Sequence, residues 1–225
     1  MSKLNSYFLF LFLSIFVFTA CTEDEPDLYP SDLVKGAYII NYGSYGDGGA
    51  SISKFDYEHN TFSNNFYAVQ NEGFELLSNI QYAYEYNDSI YLMANNSDQV
   101  IIVNPLFQQK TNGVSEGIAK PRFCVADGNY LYISCLGVSP DWSTMPETYI
   151  AKFNVKTNKV DAEIALPGGP EGLAIANGNL YAALNYKDSI AVINLESNAV
   201  SYIATPAVTS YFLKDKSEKS ICNIG

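Results

Sequence analysis

Pro170-Glu171-Gly172-Leu173-Ala174-Ile175-Ala176-Asn177-Gly178-Asn179-Leu180-Tyr181 repeats, 49 residues later, the pattern of Pro121-Arg122-Phe123-Cys124-Val125-Ala126-Asp127-Gly128-Asn129-Tyr130-Leu131-Tyr132. A fainter copy, Gln81-Tyr82-Ala83-Tyr84-Glu85-Tyr86-Asn87-Asp88-Ser89-Ile90-Tyr91, lies 41 residues before the first of these. The difference of 8 sits in one place, because Leu184 to Asn194 is 10 residues and Leu136 to Asn154 is 18. The loop 137–148 holds the insertion, and without it the period is close to 41. Self-similarity at that spacing marks an array of equal structural units.

Each unit contains four short extended runs, in the last one 172–176, 180–184, 189–194 and 199–203. Asn177-Gly178 reads as a type I′ hairpin turn, since both residues accept positive φ, and Asp127-Gly128 reads the same way one unit earlier. Glu196-Ser197-Asn198 and Lys156-Thr157-Asn158 close the third-to-fourth strand turns. Runs such as 190–193 and 100–103 are apolar on both faces, which suits sheets stacked between neighbours. Four strands per unit of this length predict an all-β fold, a β-propeller of four-stranded blades. The blades fall at about 35–78, 79–118, 119–168 and 169–208. Blade 1 opens at its second strand, Lys35-Gly36-Ala37-Tyr38-Ile39-Ile40-Asn41, with a third at 51–56 and a fourth at about 62–67. The segment 209–225, TSYFLKDKSEKSICNIG, has no Pro-x-Gly opening and no Asn-Gly turn. It reads as a truncated or frame-altered end or a divergent tail, leaving an open ring of about four blades.

Ahead of the repeats, Lys3 and an apolar run from Tyr7 to Phe18 form a leader too short for the roughly 20 residues of a membrane span. Phe18-Thr19-Ala20-Cys21 looks like a bacterial lipobox, which implies that 1–20 is a signal peptide and that Cys21 carries the lipid. An ordinary secretory signal is the alternative. Thr22-Glu23-Asp24-Glu25-Pro26-Asp27 opens an acidic linker, 21–34, and resembles the surface-export signal of Bacteroidetes lipoproteins.

Composition narrows the chemistry. A net charge of −11 removes the counterion-release drive for nucleic acid. One His and four Cys leave little for His-based catalysis or a thiolate metal site. His59 sits in a turn, and Asp47 on its glycine loop is far short of a calcium site. Cys124 and Cys135 flank one hairpin at a stagger beyond disulfide reach, so two buried thiols are expected. Asp88-Ser89-Ile90 and Asp188-Ser189-Ile190 match an O-glycosylation acceptor pattern as well as plain turn chemistry. No catalytic residue, metal ligand or cofactor site is assigned.

The pattern Pro170-Glu171-Gly172-Leu173-Ala174 through Leu180-Tyr181, with Ile190-Ala191-Val192-Ile193-Asn194, resembles the YVTN/YncE-type propeller repeat. More narrowly, Lys35-Gly36, Ile40-Asn41-Tyr42-Gly43, Gly49-Ala50-Ser51-Ile52-Ser53 and Asp56 resemble the opening of Bacteroidetes surface-layer propeller lipoproteins. The BtuG-type members of that group capture cobalamin and pass it to a TonB-dependent transporter. The resemblance implies an outer-membrane, surface-exposed lipoprotein whose ligand is a corrinoid or another small molecule or glycan. An adhesion or protein-interaction scaffold is the alternative, ahead of a propeller lactonase or lyase. Loops between second and third strands all emerge at one end. They and the inner-strand openings carry the candidate ligand-binding residues Tyr42, Tyr45, Asn95, Asn96, Asp141, Trp142, Tyr186, Arg122 and Glu171. Aromatic faces stack on a large amphipathic ligand while amides hydrogen-bond to it.

The lipobox generates the first prediction. Cys21→Ala moves the protein from the membrane to the soluble fraction and removes the acyl group from its mature N-terminus. Unchanged fractionation without an acylated Cys21 refutes it.

Overall fold

The computed structural model describes residues 35–44, 49–214 and 220–224; Cys21, Tyr45, Asp47, the leader and the acidic linker lie outside the described residues. Blade 1 contains β1 (Gly36–Asn41), β2 (Ser51–Asp56) and β3 (Thr61–Ser63), followed by the short helix α1 (Phe66–Gln70). Blade 2 contains β4 (Ile80–Tyr86), β5 (Ser89–Ala94) and β6 (Gln99–Val103). Blade 3 is β7 (Pro121–Asp127), β8 (Tyr130–Cys135), β9 (Tyr149–Asn154) and β10 (Lys159–Ala165). Blade 4 is β11 (Pro170–Ala176), β12 (Asn179–Leu184), β13 (Ser189–Asn194) and β14 (Val200–Ala204). A last hairpin joins β15 (Thr209–Lys214) to β16 (Ser220–Ile224). Every sheet is antiparallel and pairs its strands in chain order, as an open propeller of about four blades does.

Stacking explains the two-sided apolar runs. Leu92 and Ala94 of β5 pack with Ile52, Ile80 and Ile101 toward blade 1. Their neighbours Tyr91 and Met93 pack with Leu131, Ile133 and Phe153 toward blade 3. Tyr132 of β8 turns the other way, into a layer with Leu173, Leu180 and Ile193 of blade 4. A middle strand thus serves two cores, and period-2 alternation separates partners rather than inside from outside.

Turn geometry follows the residues with one correction. Asn177 and Gly178 have φ of 50° and 71°, the two positive values of a type I′ turn. In blade 3 Asp127 pairs with Tyr130, so the turn is Gly128-Asn129 and not Asp127-Gly128. Only Gly128 there has positive φ, 57°, which is the II′ arrangement with glycine first.

Blades 1 and 2 are less regular at their outer edges than four equal runs imply. The expected strand 62–67 ends at Ser63, and Asn65 at φ 55° turns the chain into α1. In blade 2 the fourth strand is reduced to single bridges, Val100 to Val114 and Val103 to Gln109. Asn104 causes the break, because its side-chain oxygen accepts from the backbone N–H of Leu106 and Gln108 and holds a turn. The segment 209–225, expected to supply no blade strand, forms β15 and β16.

Cys124 lies opposite Ile133 and Cys135 opposite Pro121; both thiols are free and buried. Burial raises both thiol pKa values, that of Cys135 to about 12. Ser89 and Ser189 are only 7% and 8% exposed, and the Ser89 hydroxyl accepts from Lys110 Nζ at 2.8 Å. Both serines are thus enclosed in the folded chain, Ser89 at the start of a second strand and Ser189 at the start of a third.

Phe153 is fully buried between blades 2 and 3. Phe153→Ala should cost ~3–5 kcal/mol through lost transfer and an unfilled cavity. Urea unfolding checks it, and a shift below ~1 kcal/mol would show that the inter-blade layer is not cohesive.

Candidate functional site

One backbone irregularity recurs in four strands. The pairing shifts by one residue between Ile80 and Ala83, Pro121 and Cys124, Pro170 and Leu173, and Thr209 and Phe212. An extra residue of this kind bends the strand and re-aims side chains. The residues inside the bulges are Gln81-Tyr82, Arg122-Phe123, Glu171-Gly172 and Ser210-Tyr211. Backbone bonds at this end tie each second-to-third strand loop to the entry of an inner strand. Ile80 N donates to Tyr42 O, Asn95 N to Asn79 O, Leu136 N to Lys120 O and Asn185 N to Gly169 O. The loops and the bulges therefore share one rim.

Arg122 and Glu171 form its centre. The Arg122 guanidinium donates from Nε at 2.9 Å and from Nη2 at 2.6 Å to Glu171 Oε1. Asn185 Nδ2 donates to Glu171 Oε2 at 3.3 Å. Burial opposes the charge on Arg122, but the Glu171 carboxylate outweighs it and raises the guanidinium pKa, with smaller contributions from Tyr42 and Tyr211. Beside this pair, the Tyr42 hydroxyl accepts from Asn79 Nδ2 at 2.8 Å and from Gln81 Nε2. Tyr82 stacks on Phe123 with ring centroids 3.8 Å apart. Burial pushes the Tyr82 hydroxyl up to about 12, so it stays protonated.

The other candidates divide. Tyr186 packs at the inner-strand entry, where a methyl on Gly169 would meet its ring carbon at 2.7 Å. Asn95 is buried and donates through Nδ2 to Pro121 O, which makes it a strut between blades 2 and 3. Asn96 donates its backbone N–H to Asn79 Oδ1, and its side-chain nitrogen is enclosed. Asp141 accepts from Ser143 N, Ser143 Oγ and Thr144 Oγ1, bonds that hold its carboxyl below its ordinary value and fold its own turn. Trp142, on the same loop, is 53% exposed. His59 lies in the turn after Asp56, at the opposite end of blade 1 from Tyr42, and pairs with Asp56 at 3.1 Å.

Gln81, Asn185 and Tyr211 join the rim although sequence reasoning did not single them out. Gln81 occupies the repeat phase of Arg122, a signal that was available. Asn185 follows directly on the repeat's Leu-Tyr strand. Tyr211 lies in a segment with none of the turn signals of the other units.

The family described as a domain of unknown function, DUF5074, matches residues 35–216, and the chain belongs to it. No curated protein matches. Among solved structures, the chain is similar to the WD40 domain of Neurospora crassa Pan2, with 11% identity, a TM-score of 0.53, and coverage of 80% of this chain and 56% of that one. It is also similar to the WD40 β-propeller domain of Doa1, with 12% identity, a TM-score of 0.52, and coverage of 78% and 57%. A third is a catalytically inactive virginiamycin B lyase from Staphylococcus aureus with quinupristin, with 13% identity, a TM-score of 0.52, and coverage of 77% and 58%. The chain thus spans a little over half the length of these propellers. At such identities the likeness concerns the fold alone.

Glu171→Gln leaves the Arg122 charge partly buried without its counter-charge and should cost about 1–3 kcal/mol. Replacing both, Arg122→Met with Glu171→Leu, should recover most of that loss. Thermal unfolding of the two variants checks the pair; a neutral single substitution would make it an ordinary surface ion pair.

Proposed function

We propose that this DUF5074 member is a lipid-anchored binding module on the outer membrane surface, which captures a small molecule at the rim and acts without catalysis. The observation that supports the reading is the convergence of Tyr42, Gln81, Arg122, Glu171 and Asn185 at one end of adjacent inner strands. Rigid strands pre-organise those groups, so little ordering cost falls on binding. Trp142 and Tyr186 add aromatic surface from the adjoining loops. Among the described residues this end presents no histidine, and its carboxylate and guanidinium neutralise each other. That pairing supports a reading as a binding surface, since a carboxylate held in an ion pair is a poor general acid or base.

The resemblance of the chain's opening to surface-layer propeller lipoproteins makes a corrinoid the first ligand to try, with delivery to a TonB-dependent transporter as the role. A corrinoid combines a broad apolar face with peripheral amides, which stacking aromatics and the Gln81, Asn185 and Arg122 donors suit. A protein-interaction scaffold is the second reading. It draws on Phe74 and Leu77, 72% and 87% exposed on the segment between α1 and β4.

Isothermal titration of residues 22–225 with cyanocobalamin and cobinamide tests the first reading. Binding is expected, weakened at least ~10-fold by Arg122→Gln and by Trp142→Ala, as truncation of a central contact does. No heat with either corrinoid refutes corrinoid capture. Equal affinity of the variants removes the rim from the site.

A further inference from the structure

β15 repeats the backbone signature of the inner strands without repeating their sequence. Its pairing with β16 shifts between Thr209 and Phe212, as that of β11 with β12 shifts between Pro170 and Leu173. Thr209 is buried, and its hydroxyl accepts from Leu184 N at 2.8 Å and donates to Ser189 O at 3.2 Å, which pins the start of β15 to blade 4. Gly172 explains how close the strand comes. A methyl there would lie 2.6 Å from Ser210 O and 2.8 Å from Tyr211 Cα, so only a residue without a side chain admits the β15 backbone beside the Glu171 bulge. Ser210 and Tyr211 thereby take the place in β15 that Arg122-Phe123 and Glu171-Gly172 hold in β7 and β11.

Tyr211 is 51% exposed and Tyr42 41%. Two open aromatic faces thus accompany an ion pair whose acceptor side is already in use. Glu171 takes three contacts from Arg122 and one from Asn185. Arg122 spends Nε and Nη2 on Glu171, and among the described residues no acceptor takes Nη1. The site's unspent capacity is donors and flat apolar rings with no net positive charge to hold an anion, on a chain of net charge −11.

We propose that Tyr211 and Ser210, carried by the β15–β16 hairpin, are ligand-contacting residues of the rim, and that the completed rim selects an uncharged, oxygen-rich molecule with a flat apolar face over an anionic one. The inference rests on the rim being the binding site and adds its missing member and its ligand chemistry.

Two measurements separate the inference from the reading beneath it. Gly172→Ala should displace β15 and raise amide exchange at 209–214 by about tenfold or more while leaving β8 and β9 protected. Unchanged exchange overturns the placement of the hairpin whatever binds. Titration of residues 22–225 with cyanocobalamin, a neutral chito-oligosaccharide and an oligogalacturonate then tests the chemistry. Expected is binding of a neutral probe, no binding of the acidic one, and a loss of about tenfold or more for Tyr211→Ala. Leu213→Ser on the same strand serves as the unaffected control. Binding that Arg122→Gln weakens but Tyr211→Ala does not overturns the role of the hairpin and spares the rim. Preference for the oligogalacturonate, or failure of both neutral probes, overturns the selectivity.

Discussion

Packing of one sheet against the next governs this molecule. A four-stranded sheet with one apolar face would be satisfied by a single partner, but β5 and β8 bury residues of both parities in two different layers. Such a strand is stable only between two neighbours, so no blade forms a finished unit by itself. The layers set the angle between successive sheets, and that angle brings the entries of the inner strands together. Removing Phe153 or Leu131 from their layer would disturb the site without touching it.

The site grows from the place where this stacking meets the bulges. Inner strands crowd where they converge, and a bulge at the entry of each relieves the regular pleat and re-aims two consecutive residues. Positions in equal repeat phase then face one another across blades. Arg122 reaches Glu171, 49 residues away in sequence, because both open an inner strand. The same geometry lets Ser134 Oγ donate to Glu171 O at 2.9 Å, tying the second strand of blade 3 to the bulge of blade 4. The candidate site and the fold share these bonds, so the position of the guanidinium is fixed by the packing of the blades.

Much of this was legible in the residues, for a physical reason. Alternation, Asn-Gly turns and the repeat itself are local signals, and local signals place β11 to β14 almost residue by residue. Arg122 and Glu171 were recognisable as inner-strand openings, but their bond was not, because pairing depends on the angle between blades. Asn95 looked like a ligand amide, yet its Nδ2 donates to Pro121 O and bridges blade 2 to blade 3, whereas Asn96 is held through its backbone N–H on Asn79 Oδ1 and its enclosed side-chain nitrogen has no partner among the described residues. An amide at a strand end carries the same letter whether it serves a ligand or an orphan carbonyl. β15 was hidden for the opposite cause. Its place depends on Gly172 and Thr209, one residue lending space and one lending a hydroxyl, and neither resembles the usual blade opening.

A gradient from the axis outward follows from the same packing. Four inner strands carry the shift at the same position, while the outer edges differ from blade to blade: a full β10 and β14, a three-residue β3 with a helix beyond it, and two single bridges in blade 2. Inner strands are held on both faces and at the convergent rim, so a change of register there would move several bonded neighbours at once. An outer strand answers to one partner strand and to water, and turns such as that of Asn104 can interrupt it without loss to the core. The outer edge is therefore where this fold tolerates irregular sequence, and the inner entry is where a single residue such as Gly172 decides whether the next strand can dock.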